Sequence, residues 1–173
     1  PAGLDLRFDG TGTNSDANCT MTNGDYSANS VTLVNYTGQL DLAGRTLSAA
    51  EDIVIDGSSS TLAGLAGSKL VAGGDMHLAG TPASKLGLNP TSPWSVQVNG
   101  LLTADYAVIG NSNATVAMGC AWQSCTDDGN NTNWDFECGH YLSRFGDTLF
   151  GDIDMNGNGV SNAGAVSVGL GSS

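Results

Sequence analysis

Five segments of this chain share one form, apolar-x-apolar-x-Gly: "LDLAG" (Leu40 to Gly44), "IVIDG" (Ile53 to Gly57), "MHLAG" (Met76 to Gly80), "VQVNG" (Val96 to Gly100) and "IDMNG" (Ile153 to Gly157). A sixth, "YAVIG" (Tyr106 to Gly110), fits with its apolar residues slightly shifted. Period-two alternation turns one face of a strand inward, and the closing glycine lets the chain turn at φ > 0. The glycines at 44, 57, 80 and 100 stand 13, 23 and 20 residues apart. Values near 20 suit one coil of a β-solenoid, and a coil that small must stack on neighbours to bury its apolar face. Weaker apolar pairs between these segments, such as "TLVNYT", "KLVAG" and "LLTADYAV", would form the other sides of each coil.

No stretch of twelve residues carries the i, i+3, i+4, i+7 pattern of an amphipathic helix, because Gly or Ser interrupts nearly every window. The expected fold is therefore all-β, a β-solenoid of the right-handed parallel β-helix type. The alternative is an antiparallel β-sandwich, which also has short strands and Gly turns. Hairpin signals flanked by alternating strands are scarce here. Four regions are expected: an N-terminal strand and polar loop over 1–30, the solenoid body over 31–113, a Cys/Trp-rich cap over 114–139, and a connector with a C-terminal strand appendage over 140–173. A cap is physically required, since an open end leaves unpaired strand groups. Disulfides would stiffen a cap that lacks a core of its own.

The charge is one-sided, with five basic residues against seventeen acidic, a net of −12. That argues against nucleic acid, whose phosphates need clustered Lys and Arg, and against anionic membrane surfaces. No run of about 18 apolar residues predicts membrane insertion. The chain starts at Pro1, so a leader has been removed or the chain is a fragment. Hydrophobic residues reach 40 % and charged ones only 13 %, which predicts a packed fold and not disorder.

The four cysteines, Cys19, Cys120, Cys125 and Cys138, are disulfide candidates. An even number in an acidic, Asn/Thr/Ser/Gly-rich chain suggests export, and four cysteines allow three pairings between which spacing does not choose. Zinc is disfavoured, because the gaps do not form two close pairs.

Two stretches carry a resemblance. Val98 to Phe136, "VNGLLTADYAVIGNSNATV…DDGNNTNWDF", resembles the end of repetitive β-helix domains in large bacterial surface proteins, which often finish in a "DGGNNTNW"-like turn. Tyr141 to Asn162, "YLSRFGDTLFGDIDMNGNGVSN", resembles a short repeat of phage tail fibres and bacterial surface fibres, roughly Y-L-P-x-x-G-x-T-M-x-G-D-L-D-M-N-G-N-x-I-x-N. This chain departs from it with Ser143 for Pro, Leu149 for Met, and Gly159-Val160 for a bulky pair. Together they cover about a third of the chain. They imply a fibre or surface module and bring no catalytic residue.

The segment at 151–164 also has the front half of a calcium loop, with Asp152, Asp154, Asn156 and Gly157 at positions 1, 3, 5 and 6. Position 12 is Ala163, so the bidentate carboxylate is missing. Ile153 and Met155 match the upstream strand form, so a strand is expected and calcium at Asp152, Asp154 and Asn156 is the weaker reading. No other cofactor is expected. "DGTGTNSDAN" (Asp9 to Asn18) and "TDDGNN" (Thr126 to Asn131) read first as turns, with calcium second.

An enzyme is not expected. His77 and His140 lie far apart, and Arg7, Arg45, Lys69, Lys85 and Arg144 form no cluster in sequence. Carboxylates for glycoside hydrolysis would have to be brought together by stacking. Trp94, Trp122 and Trp134 read as core or cap packing before sugar stacking. The sequons at Asn18, Asn35, Asn113 and Asn130 are compatible with glycosylation.

The terminal segments alternate and lack Lys or Pro gatekeepers: Leu4, Leu6 and Phe8 at one end, and Ile153, Met155, Val166 and Val168 at the other. Such segments suit addition to an exposed sheet edge. The expected role is a structural subunit of an extracellular fibre or cell-surface filament, polymerising head-to-tail with copies of itself. The alternatives are a phage tail-fibre or receptor-binding segment and a glycan-binding or glycan-cleaving module, with contact to a glycan or host surface.

Overall fold

The computed structural model describes residues 4–9, 18–57 and 61–138. All lie in the first of two compact units, Pro1–Tyr141. They form eighteen short strands and no α-helix. Every pair of these strands in register is parallel, which excludes the antiparallel sandwich. The fold is a β-solenoid of about 5 turns.

Each complete coil contributes three strands. The first holds β1 (Leu6–Asp9), β2 (Cys19–Thr20) and β3 (Tyr26–Ala28); the second β4 (Val31–Val34), β5 (Leu40–Asp41) and β6 (Thr46–Ala49). The third holds β7 (Ile53–Asp56), β8 (Leu62–Ala63) and β9 (Lys69–Ala72); the fourth β10 (Met76–Ala79), β11 (Leu86–Leu88) and β12 (Trp94–Val98). The fifth holds β13 (Leu102–Asp105), β14 (Ala107–Ile109) and β15 (Ser112–Val116). A tapering end follows with β16 (Gly119–Ala121), β17 (Thr126–Asp127) and β18 (Trp134–Asp135).

The first face is one sheet in the order β1-β4-β7-β10-β13-β16-β18. The third face is also continuous, β3 to β15, whereas the second is split into β2-β5-β8 and β11-β14-β17. The ladder therefore runs past both limits of the body expected at 31–113. On the first face Leu6, Val31, Ile53, Met76, Leu102, Gly119 and Trp134 stack in register. Their separations of 25, 22, 23, 26, 17 and 15 residues show coils that shorten toward the C-terminal end. Beside them runs Phe8, Leu33, Ile55, Leu78, Ala104 and Ala121. From Leu33 to Ala121 this second row is buried, so identical-face stacking supplies the core that no single coil could make.

The recurring glycines serve two purposes. Gly44 has φ +75, as expected of a turn glycine. Gly80 has no positive φ; a Cβ there would come 2.3 Å from the Leu86 backbone nitrogen and 2.4 Å from the Tyr106 oxygen. The expected left-handed turn is thus corrected at Gly57, Gly80 and Gly100, none of which has a positive φ; at Gly80 it is the close approach of neighbouring backbone that demands glycine.

A carboxylate marks the corner before the first face. Asp52 Oδ1 accepts the Asp75 backbone N–H at 2.8 Å, and Asp75 Oδ1 accepts that of Leu101 at 2.8 Å. Each aspartate thus ties its own coil to the next.

Candidate assembly interface

The two ends of the described solenoid differ. At the C-terminal end the core tapers through Gly119 and Ala121, and Trp134 lies over Gly119. A Cβ on Gly119 would fall 2.4 Å from the Trp134 ring. Trp134 Nε1 donates to Ser112 Oγ at 3.0 Å. The polar run "TDDGNNTNW" secures this cover: Asp127 Oδ1 accepts the Gly129 N–H at 2.9 Å and the Asn131 side-chain N–H at 2.7 Å. Asn131 also donates to Ile109 O at 2.8 Å, and Asn133 to Ala114 O at 3.0 Å. The amide and carboxylate groups meet turn and ladder backbone, as their composition predicted. Outside this cover the disulfide Cys120–Cys138 joins β16 to the residues after β18.

At the N-terminal end β1, β2 and β3 are each the last strand of their sheet among the described residues. Between them an apolar cavity of about 80 Å³ opens, lined by Leu6, Phe8, Met21, Tyr26, Leu40 and Leu47 among others. Leu40 and Leu47 are its buried floor; Leu6 and Phe8 are half-buried walls, and Tyr26 is exposed. Phe8 packs its ring against Tyr36 with centroids 5.2 Å apart. Leu4 is 87 % exposed. The Ser30 hydroxyl donates to Asp5 Oδ1 at 2.9 Å and the Asn29 amide at 3.4 Å, and these bonds hold the Asp5 carboxyl below its ordinary range. The folded pKa lies below the unfolded one, so this contribution is present above the unfolded pKa and fades as pH falls through the folded value.

Of the expected assembly residues, Leu6 and Phe8 line this cavity, whereas Leu4 is not among its lining residues and is exposed. Ile153, Met155, Val166 and Val168 lie outside the described residues, as do the calcium candidates Asp152, Asp154 and Asn156. Of the four cysteines, Cys120 and Cys138 pair, while Cys19 and Cys125 are free thiols. Cys19 is exposed and lines the cavity. Cys125 is half-buried, donates to Ala104 O at 3.3 Å, and burial pushes its thiol pKa up. Alkylation with iodoacetamide near pH 8 should therefore label Cys19 first, with Cys125 at least about ten-fold slower. Peptide mapping by mass spectrometry after timed quenching checks this; equal rates would contradict the burial of Cys125.

The tryptophans fall into three settings. Trp94 is core at 2 % exposure and Trp134 is cover, while Trp122 is 57 % exposed. His77 sits outward on the first face, with Nδ1 2.9 Å from Thr103 Oγ1 and Nε2 3.9 Å from Asp105 Oδ2. Asp105 Oδ1 already accepts the Gln123 N–H at 3.0 Å. The placement of Cys19 at the open end was not legible in sequence. The role of the corner aspartates was not read either, although an Asp stands directly before the "IVI" and "MHL" segments.

Comparison of the chain with family models, with curated proteins and with solved structures finds no match.

Proposed function

We propose that this protein is a non-enzymatic structural subunit of an extracellular fibre or surface filament. Subunits join when a C-terminal strand of one copy adds to the open N-terminal coil of the next. The carrying observation is the asymmetry of the ends among the described residues: three strands, each last in its sheet, border an apolar cavity at one end, and Trp134 lies over Gly119 at the other. An uncovered stack of parallel strands exposes both backbone groups and apolar side chains, and an added strand satisfies both. Addition that is head-to-tail and does not close gives a filament. The Cys120–Cys138 bridge suits an oxidising, exported setting.

Negative-stain electron microscopy of the native material tests this reading. Long filaments with one subunit repeating along the axis are expected, with Cys19 protected from alkylation in the filament. Isolated particles would overturn it, and short three-fold rods would favour a trimeric phage-type fibre. The exposure of Trp122 favours a second role in sugar contact on the fibre side. Loss of glycan-array binding in Trp122→Ala, with filaments intact, would support that role; no binding by the wild type would remove it.

A further inference from the structure

Asparagine directly followed by glycine occurs at Asn23, Asn99, Asn156 and Asn158. The last two lie outside the described residues. The first two differ in what holds their glycines. Asn99–Gly100 is built into the stack: the Asn99 N–H donates to Ala72 O at 3.1 Å, and the Gly100 N–H to Gly74 O at 2.9 Å. A Cβ on Gly100 would collide with Asp75 Oδ1 and Gly74 O, so the fourth coil packs closely against this peptide. Asn23–Gly24 is the opposite case. It forms a bend between β2 and β3, and Asn23 is exposed. Gly24 has φ +124, and no atom lies within 4 Å of where its Cβ would stand. Among the described residues, no hydrogen bond engages the Asn23 side chain or the Gly24 N–H.

We propose that the Asn23–Gly24 bend is a site of spontaneous covalent modification, at which the Asn23 side-chain amide becomes a carboxylate through a cyclic imide. Water is the co-reactant. The Gly24 nitrogen gives its proton to hydroxide and attacks Asn23 Cγ. A bond forms between Gly24 N and Cγ, the Cγ–Nδ2 bond breaks, and Nδ2 leaves as ammonia with a proton from water. Water then opens the imide. Attack at Cγ gives aspartate; attack at the Asn23 carbonyl carbon gives isoaspartate, whose main chain runs through Cγ. No electrons are exchanged. Ring closure requires the peptide to turn until its nitrogen faces Cγ, and glycine has no Cβ to hinder that turn. At Gly100 the bond to Gly74 O fixes the peptide, so the coil must open before attack.

The position gives the modification a consequence. Asn23 stands between Met21 and Tyr26, both of which line the N-terminal cavity. Beyond Gly24, Asp25 Oδ1 accepts the Thr46 N–H at 2.8 Å and ties the first coil to the second. Either product places a new carboxylate close to Asp25, and isoaspartate lengthens the main chain by one atom just before that tie. The converted chain carries a mark of its age on the first described coil, whether or not chains polymerise.

The test follows the full-length wild-type chain, folded and in urea, at mildly alkaline pH in heavy-oxygen water. Peptide mapping by mass spectrometry with electron-transfer fragmentation reads amide loss and isoaspartate at Asn23 and Asn99. Label uptake separates conversion during incubation from conversion during digestion. In the folded chain Asn23 should convert at least ~10-fold faster than Asn99, whose opening the stack suppresses. In urea the two rates should come within ~3-fold of each other, because glycine follows both. Equal folded-state rates, or a faster Asn99, would overturn the site. A ~10-fold difference that persists in urea would overturn it as well, since residue types and not the bend would then set the rate. In the converted fraction, isolated by anion exchange, the Thr46 N–H should exchange with deuterium faster than in the parent chain; unchanged exchange would overturn the consequence for the tie between coils.

Discussion

Leu78→Ala should cost about 3–5 kcal/mol of stability, the upper range for a buried leucine truncation. Leu78 is fully buried in the fourth coil. Ile55 stacks on one side of it and Ala104 on the other. Its strand β10 is held on both edges by the ladders to β7 and β13. The backbone therefore cannot sink into the space left behind, and the cavity term is retained in full. The neighbour Ala104 is too small to fill it. Urea unfolding followed by circular dichroism checks this, with a lower midpoint as the signature. His77→Ala, one residue away but pointing outward, should change stability by under ~1 kcal/mol. A Leu78→Ala loss no larger than that of His77→Ala would mean that the coils move together on truncation and do not hold a fixed spacing.

Reducing the Cys120–Cys138 disulfide should loosen the C-terminal cover by about 3 kcal/mol, the chain-entropy value for a loop of this size. The bridge closes a sequence separation of 18 residues. That loop contains β17, β18 and the turn network around Asp127 and Asn131. The effect should be largely local, because the cover rests on the fifth coil and the fourth reaches it through exposed side-chain bonds, Lys85 Nζ to Thr126 Oγ1 at 2.8 Å and Asn89 Nδ2 to Asp128 Oδ2 at 2.9 Å. Amide hydrogen exchange is the suitable readout. Protection in β16 and β18 should fall after reduction, while β4, β7 and β10 keep theirs. Loss of protection along the whole first face would instead show that the cover nucleates the stack. Cys120→Ser should reproduce the reduced pattern.

Much of the fold could be read from the residues. The segments "IVIDG" and "MHLAG" are strands of the first face with their apolar residues inward, as alternation required. "LDLAG", "YAVIG" and "VQVNG" are also strands, yet they lie on the second and third faces. The same five-letter form serves every side of the coil, because each side asks only for an inward pair and a corner. Sequence spacing therefore mixed faces, and the true repeat of the first face, Leu6 to Val31 to Ile53, was hidden among them. The corner aspartates at 52 and 75 were visible but silent, since their function is to meet a backbone N–H one coil away. The cysteines show the same limit: Cys120 pairs with Cys138 across β16 and β18, while the nearer Cys125 lies on the other side of a corner.

The amino-acid sequence by itself determined that this chain is all-β, that its strands are short and one-sided, and that they must stack to bury that side. Alternation and glycine spacing act within a few residues, and local rules suffice to read them. Only the tertiary structure decided which strands share a sheet, where the two free thiols fall, which glycines yield to a neighbour's backbone, and that Trp134 lies over Gly119 at the C-terminal end of the described coils. Those outcomes depend on register between residues 15 to 26 positions apart. Register is set when whole coils come together and every inward row is filled at once.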